Sequence, residues 1–466
     1  MQLWINWWNV VVLLRPACSR ARTFMWFATC IAGFTTRTDM LGVSSMIRSL
    51  GLHARFYDNL LNNFHSQGIK LDKMTRLWVK LVMKLFLNPV LINGRIVLVG
   101  DGIKIPKQGK KMPGVKRLHQ ESESNTKPEY IMGHSLQSVS MLVHAVNSIL
   151  AVPLASRIHE GIVTTNRDQR TLLDKMIMLL EILNIAMPYY FVADAYYANG
   201  KTVKGLLKKG NHLVARAKSN SVAYEKPGKR DPKSLGRPKT YGKKVKLKSL
   251  FNKQGKFEDM ASPVYGEKGV TLTFRVCDLL WKPAGTIVRF VLVNHPTRGK
   301  CILMSTDISL SAENLIYLYG LRFKIEHTFK QSVRVVGVFS YHFWMKDMTP
   351  LRRNHGNQYL HKESKCYREA VHRKLHAYHV FILAGSIAQG LLQYLATVHT
   401  KQVWGAFGSW LRTIRPGVAP SEFVVATALR QSFPEFLLVN SESNNLAKFI
   451  TERQDLDRMD VFRNVA

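Results

Sequence analysis

A mixed α/β fold, one sheet flanked by helices with helical regions at both ends of the chain, is what this sequence predicts. Two observations carry the expectation. Short continuous apolar runs of strand length, at 96–99 and 189–193, stand among stretches whose apolar residues recur at helical spacing. Each of those runs also ends at an aspartate, Asp101 or Asp194, as strands of an α/β sheet do when their carboxyl ends carry a ligand site.

The elements follow in chain order. Residues 1–90 read as helical. The apolar run WINWWNVVVLL has no positive charge before it, and Arg15 and Pro16 stand where small residues would precede a cleavage site, so no secretory leader is expected. That run and the next, 24–34, are too short to span a bilayer and read as buried helices. Two short helices around 43–52 and 54–61, with Gly51 at the turn, have the form of a helix-turn-helix that reads DNA ends. Any packed pair of small helices has the same form.

From 91 to 218 the order is three strands, helix, strand, helix, strand. The first strand, 96–99, ends at Asp101, and a loop rich in Lys, Gly and Pro follows through Leu118. A hairpin is expected over 134–145 and 148–158, then a helix over 166–185 with Leu172, Leu173, Met176, Leu179, Leu180 and Leu183 in phase. The strand 189–193 ends at Asp194; a helix near 199–209 and a strand at 212–216 complete this part. Residues 219–305 form a basic insertion: a Lys, Gly and Pro-rich segment to about 256, expected to be mobile when free, then strands at 271–276, 287–293 and 302–305. Residues 306–345 return to the core with a long helix over 311–335, capped by Ser309 or Ser311. The remainder, 346–466, reads as helical and amphipathic, without internal repeats.

Composition restricts function. The 466 residues carry 67 Lys plus Arg against 31 Asp plus Glu, a formal charge of +36. Such a chain needs a polyanion as partner, and with 46% hydrophobic residues it is too rich in core for most ribosomal proteins. An anionic membrane surface is the other class, and no membrane span is expected. The five cysteines, Cys18, Cys30, Cys277, Cys301 and Cys366, are scattered and never paired as Cys-x-x-Cys, which fits a reducing interior and no cysteine zinc site.

Two strand-end aspartates suit a hard divalent cation, although such residues also merely cap helices. The long helix adds a third carboxylate. Arg322, Glu326 and Lys330 are successive i,i+4 neighbours, with Tyr319 close by. A structural salt-bridge ladder has the same spacing, but this helix is otherwise apolar, so its charged stripe is expected to face a site.

Tyr319-x-x-Arg322-x-x-x-Glu326, with Leu98-Val-Gly-Asp101-Gly and Phe191-Val-Ala-Asp194-Ala-Tyr-Tyr before it, resembles the signature of bacterial insertion-sequence DDE transposases of the IS4 type. The short Ser305-Thr-Asp307 run also resembles the family, and the likeness spans roughly 95–345. It implies a ribonuclease-H-like catalytic core interrupted by a β-rich insertion. Two departures stand out. The family usually places Lys or Arg seven residues past the glutamate, where this chain has Val333; Lys330 or Arg334 is then the substitute. The glycine common just after the second aspartate is absent, and Ala195-Tyr196-Tyr197 stands there.

The resemblance implies Mg²⁺-dependent cleavage at transposon ends and strand transfer by two-metal phosphoryl transfer, with Asp101, Asp194 and Glu326 holding the two ions and Mn²⁺ able to substitute. It further implies a prokaryotic cytoplasmic enzyme that acts at the nucleoid on terminal inverted repeats and target DNA, as a homodimer in the synaptic complex. Arg322, Lys330 and Arg334 are expected on phosphate, with Tyr319 beside them. Lys104, Lys107, Lys110, Lys111, Lys116 and Arg117, leaving the Asp101 strand, are expected to meet the DNA backbone, which would make binding steeply salt-dependent. Arg216 and Lys218 are further candidates. Trp281 reads as a core residue; the alternative, taken from the family, is an aromatic that stacks on a flipped base. His372, His376 and His379 have metal-ligand spacing on a helix, but Arg373 and Lys374 intervene and the cluster reads as a basic face. The competing functions are a nuclease or resolvase of the same core that cuts without joining, and a catalytically silent, domesticated DNA-binding protein.

Overall fold

The structure, a computed structural model, describes residues 1–120, 128–228, 237–252, 256–408, 410, 412–455 and 457. Residues 229–236 and 253–255 of the basic segment expected to be mobile lie outside these, as do 458–466 of the expected C-terminal helical region.

Helices α1 (Gln2–Val11), α2 (Ala21–Thr36), α3 (Val43–Ser49), α4 (Tyr57–His65) and α5 (Leu71–Leu85) open the chain. The two N-terminal apolar runs are buried in this layer, as expected: Trp4 and Trp7 are sealed from solvent, and the Trp4 indole donates to the Leu429 carbonyl at 2.8 Å. The helices on either side of Gly51 exist too, α3 and α4 packing on α2 and α4 also on a long C-terminal helix.

The sheet follows. Its strands are β1 (Leu91–Ile92), β2 (Arg95–Pro106), β3 (Lys116–His119), β4 (Tyr130–Ala145) and β5 (Ser148–Ile158), then the short β6 (Ile162–Val163) outside it. After α6 (Leu172–Leu183) come β7 (Tyr189–Ala193), α7 (Gly200–Leu207) and β8 (His212–Arg216). Strand β4 lies antiparallel between β2 and β5, whereas β7 and β8 continue parallel from β2. The spatial order β5-β4-β2-β7-β8 is the ribonuclease-H-like arrangement, and the α/β class is as the apolar runs predict. Both faces are covered, which is why those runs are apolar throughout. Ile96, Leu98 and Phe191 pack with α6 and α7 on one side. Val97, Val99, Tyr190 and Val192 face the other.

One feature of the sheet differs from the sequence reading. Strand β2 does not stop at Asp101. It stays paired to β4 from Leu98↔Met141 through Asp101↔Ser138 to Pro106↔Gly133, so the basic loop begins after 106 and ends in β3. The β-rich insertion extends the same sheet. Its strands are β9 (Val222–Tyr224), β10 (Lys244–Lys246), β11 (Glu258–Ala261), β12 (Thr271–Trp281), β13 (Thr286–His295) and β14 (Gly299–Ser305), and β14 pairs antiparallel with β8.

The long helix is real but segmented. Ser311 caps α8 (Ala312–Gly320); a tight turn at Leu321–Phe323 leads into α9 (Lys324–Gln331), and a wider turn at Ser332–Val336 ends at Gly337 in the left-handed region, φ +70°. Its apolar face, Leu315, Leu318, Leu321 and Ile325, covers the Val97–Val192 side of the sheet.

The C-terminal part begins with β15 (Gln358–Tyr359), which pairs with β6, then α10 (Lys365–Val398), α11 (Thr400–Ala406), α12 (Glu422–Asn440) and α13 (Asn445–Thr451). Helix α10 is not amphipathic as expected. It passes between β5 and helices α2, α4 and α5, and is buried almost all round from Ala377 to Gln393. It is long and apolar enough to cross a membrane, yet 89% of its apolar stretch is buried inside the protein, as a core helix is. The same packing corrects the histidine reading. His379 is half-buried and accepts from the Ile158 amide at 3.1 Å; His376 meets the Ser66 carbonyl at 3.2 Å. These two rings tie α10 to its neighbours, so only His372, with Arg373 beside it, keeps to the exposed basic face expected for all three.

Candidate active site

Strand register brings the two aspartates together. The parallel pairing matches Val97 with Tyr190 and Val99 with Val192, so two residues further along each chain stand Asp101 and Asp194. Side chains alternate along a strand, so both fall on the side of Val99 and Val192, the side that α8 and α9 cover. Asp194 lies just past its strand, where it accepts from the Tyr196 amide at 3.0 Å and turns the chain. Asp101, Asp194 and Glu326 line one cleft of about 590 Å³.

Arg322 stands between two of the three. Its guanidinium donates to Asp101 Oδ2 at 3.0 Å and, from the other nitrogen, to Glu326 Oε1 at 2.7 Å. Burial pushes the Asp101 carboxyl up to about 6; Arg322 and the Gly102 amide pull it down, and Asp194 and Glu326 add to the rise. The Glu326 carboxylate is more than half exposed, at the mouth of the cleft. Tyr319 is raised by burial and feels the charges of Arg322, Arg216 and Asp194, so it belongs to the same neighbourhood. Lys330, Val333 and Arg334 are exposed further along the helix.

The basic candidates divide sharply. Lys107 is not on the surface: it is 4% exposed, and its ammonium donates to the carbonyls of Phe339 (2.5 Å) and Tyr341 (2.9 Å), 3.6 Å from the Tyr341 ring centre. Burial lowers its pKa to about 7. The expectation of a phosphate contact there is corrected, because a chain segment distant in sequence encloses it. Trp281 is 6% exposed within the main core, so the core reading holds and no stacking face is presented. Lys116 is paired with Glu160 at 3.1 Å, Lys104 donates to the His119 carbonyl at 2.7 Å, and Lys111 donates to the Lys346 carbonyl at 2.9 Å. Lys110, Arg117, Arg216 and Lys218 are exposed.

Sequence reasoning missed several neighbours. Glu160, a further carboxylate of the cleft, is held down to about 2, chiefly by hydrogen bonding to His159 and also by Lys116. Gln137 and Tyr197 line the cleft wall and lie 3.4 Å apart, amide to hydroxyl. Tyr197 ends the quoted run after Asp194, but Gln137 and Glu160 belong to no local motif, so only the tertiary structure brings them into the cleft. Arg37 is the largest omission. It is 1% exposed and donates to the Val336 carbonyl at 2.6 Å and the Gly337 carbonyl at 2.8 Å, closing the end of the helix that carries Glu326.

The sequence model of a family described as DDE superfamily endonuclease matches residues 14–268, a stretch that includes Asp101 and Asp194 and stops before Glu326. No curated relative matches the chain. Among solved structures, a cryo-EM structure of a piggyBac transposase synaptic complex with hairpin DNA matches with a TM-score of 0.39 and 13% identity, over 93% of this chain and 75% of that one. A likeness that loose transfers no residue roles.

Proposed function

The chain belongs to the DDE superfamily endonucleases, and from that membership we propose that it is a transposase, cutting DNA at transposon ends and joining those ends to a target. The observation that carries the reading is the convergence of Asp101, Asp194 and Glu326 on one cleft, with Tyr319 and Arg322 beside them. The Tyr-x-x-Arg-x-x-x-Glu spacing supports the IS4 type within the family. The +36 charge supports DNA as partner, with helices α3 and α4 as a candidate reader of the inverted repeats and a dimer holding two ends at synapsis.

Enzymes of this family generally use divalent metal ions. The donor set fits, since three carboxylates supply the oxygen ligands that hard cations prefer. As they stand, however, no three such groups among the described residues are gathered to share an ion, and Arg322 bridges Asp101 and Glu326. Asp101, Asp194 and Glu326 would hold two Mg²⁺, or Mn²⁺, which supply an activated water or 3′-hydroxyl and stabilise the leaving oxygen. This chain's own residues do the rest. Arg322 exchanges its carboxylate partners for a DNA phosphate, which frees both carboxylates; Lys330 or Arg334 meets the backbone in place of the basic residue absent at Val333. Asp101 acts deprotonated, and because burial favours its proton in the metal-free site, the proton competes with the metal, so Mg²⁺ affinity should weaken as pH falls through about 6.

The test uses full-length protein and DNA bearing the inverted repeats that flank its gene. Glu326→Gln should abolish Mg²⁺-dependent cleavage and leave DNA binding within about twofold. Cleavage retained by that variant overturns the assignment. Precut ends supplied with a target plasmid should yield joined product; cutting without joining would make the protein a nuclease instead.

A further inference from the structure

Residues 341–345 form no regular element and lead into a turn at Lys346, yet burial alternates at each position of 341–346. Tyr341, Phe343 and Met345 are buried, while His342, Trp344 and Lys346 are exposed. Such alternation belongs to strands, yet this segment is not part of the sheet. It is strapped to the loop after β2 instead, with the Met345 amide on the Lys111 carbonyl (2.9 Å) and the Leu351 amide on that of Lys110 (2.7 Å). The inner row is firmly held: the Tyr341 hydroxyl lies 2.7 Å from His134 Nδ1, and the Tyr378 hydroxyl donates to the Phe343 carbonyl at 2.7 Å.

The outer row is unusual. On this anchored backbone the Trp344 indole is 65% exposed, beside Gly109, where an added Cβ would come within 3.0 Å of its Nε1. Exposed Lys110 and Lys346 belong to the two segments of the strap, and Asp347 is the acid among residues 341–357. Next along lies a second cleft, about 530 Å³, lined by Arg117, Tyr130 and Arg353 among others. The Arg117 guanidinium sits 3.7 Å over the Tyr130 ring, and its amide donates to the His355 carbonyl at 2.8 Å. Strand β3 connects this surface to the carboxylates: Arg117 within it lines the second cleft, and Gln120 just past it lines the first.

We propose that this strip binds unpaired, single-stranded DNA that leaves the carboxylate cleft across β3. Trp344 stacks on a base, and Arg117, Arg353 and Lys346 meet phosphates. An exposed indole needs an open base face, which a duplex covers and an acidic peptide lacks; a basic track with an aromatic platform is how single strands are held without sequence preference. The inference rests on DNA being the substrate, but not on catalysis.

The test is therefore metal-free. Fluorescence anisotropy in EDTA would compare the full-length protein on a blunt duplex and on the same duplex with a single-stranded tail of about six nucleotides. The tail should tighten binding about tenfold. Trp344→Ala should remove that gain and leave blunt-duplex affinity unchanged, Trp344→Phe should keep most of it, and Arg353→Gln with Lys346→Gln should lower the salt slope by about one to two units on tailed DNA. No preference for the tail, or an equal loss on both DNAs with Trp344→Ala, overturns the proposal. Absent cleavage with the tail preference intact refutes the transposase reading alone; cleavage without the preference refutes this one alone.

Discussion

Asp101 shows how a single residue is tuned by its surroundings. Its carboxyl, raised by burial from 3.8 to about 6, keeps its proton more tightly folded than unfolded. The folded state therefore binds more protons between about pH 4 and 6, and stability falls as pH rises through that window. Asp101→Asn should accordingly raise the thermal midpoint at pH 8, by the equivalent of at most about 3 kcal/mol, and change it little at pH 3.5. A lowered midpoint at pH 8 would mean that the Arg322 pair outweighs burial. Lys107 supplies the contrasting case. Lys107→Ala leaves the carbonyls of Phe339 and Tyr341 without their donor and should cost about 2–4 kcal/mol in unfolding free energy, with DNA affinity unchanged at any salt. Lys110→Glu should do the reverse, weakening DNA binding without lowering the melting temperature. In sequence the two lysines look alike, because nothing local tells which one a distant segment will cover.

At the scale of elements, the strands were legible and the helix bearing Glu326 only partly so. Apolar runs mark β2 and β7 because both faces of the sheet are covered, and a strand so enclosed has no polar positions to blur the pattern. The end of β2 was illegible: Asp101, Lys104 and Pro106 read as a loop, yet cross-strand pairing with β4 carries the strand through them. The signature helix changes pitch at Leu321–Phe323 and again at Ser332–Val336, although its sequence reads as continuous. Its end is set by Gly337 and by Arg37, which reaches from a point 300 residues earlier. Arg37→Met should destabilise the protein by about 3–5 kcal/mol, since buried carbonyls lose a charged donor. It should also slow cleavage by loosening Glu326. Hydrogen exchange over 324–336 checks this: unchanged protection there would remove the cap argument.

For the whole molecule, the main hydrophobic core runs without a break from Leu3 to Ile450. The N-terminal helices, the sheet and α10 complete one another, so residues 91–345 alone should show no cooperative thermal transition, whereas the full chain should. A cooperative transition in the fragment would contradict the shared core. The sequence by itself determined the charge, the order of the core strands and helices from β2 to β8, and which carboxylates stand at the β2, β7 and signature-helix positions. Those follow from composition and from periodicities of two and 3.6 residues, which are local. Only the tertiary structure decided that Arg322 bridges Asp101 and Glu326, that Lys107 and Trp281 are enclosed, that Arg37 closes the helix, and that Trp344 is left in solvent. Each depends on which distant segment comes to lie alongside, and packing across hundreds of residues leaves no mark on the local pattern.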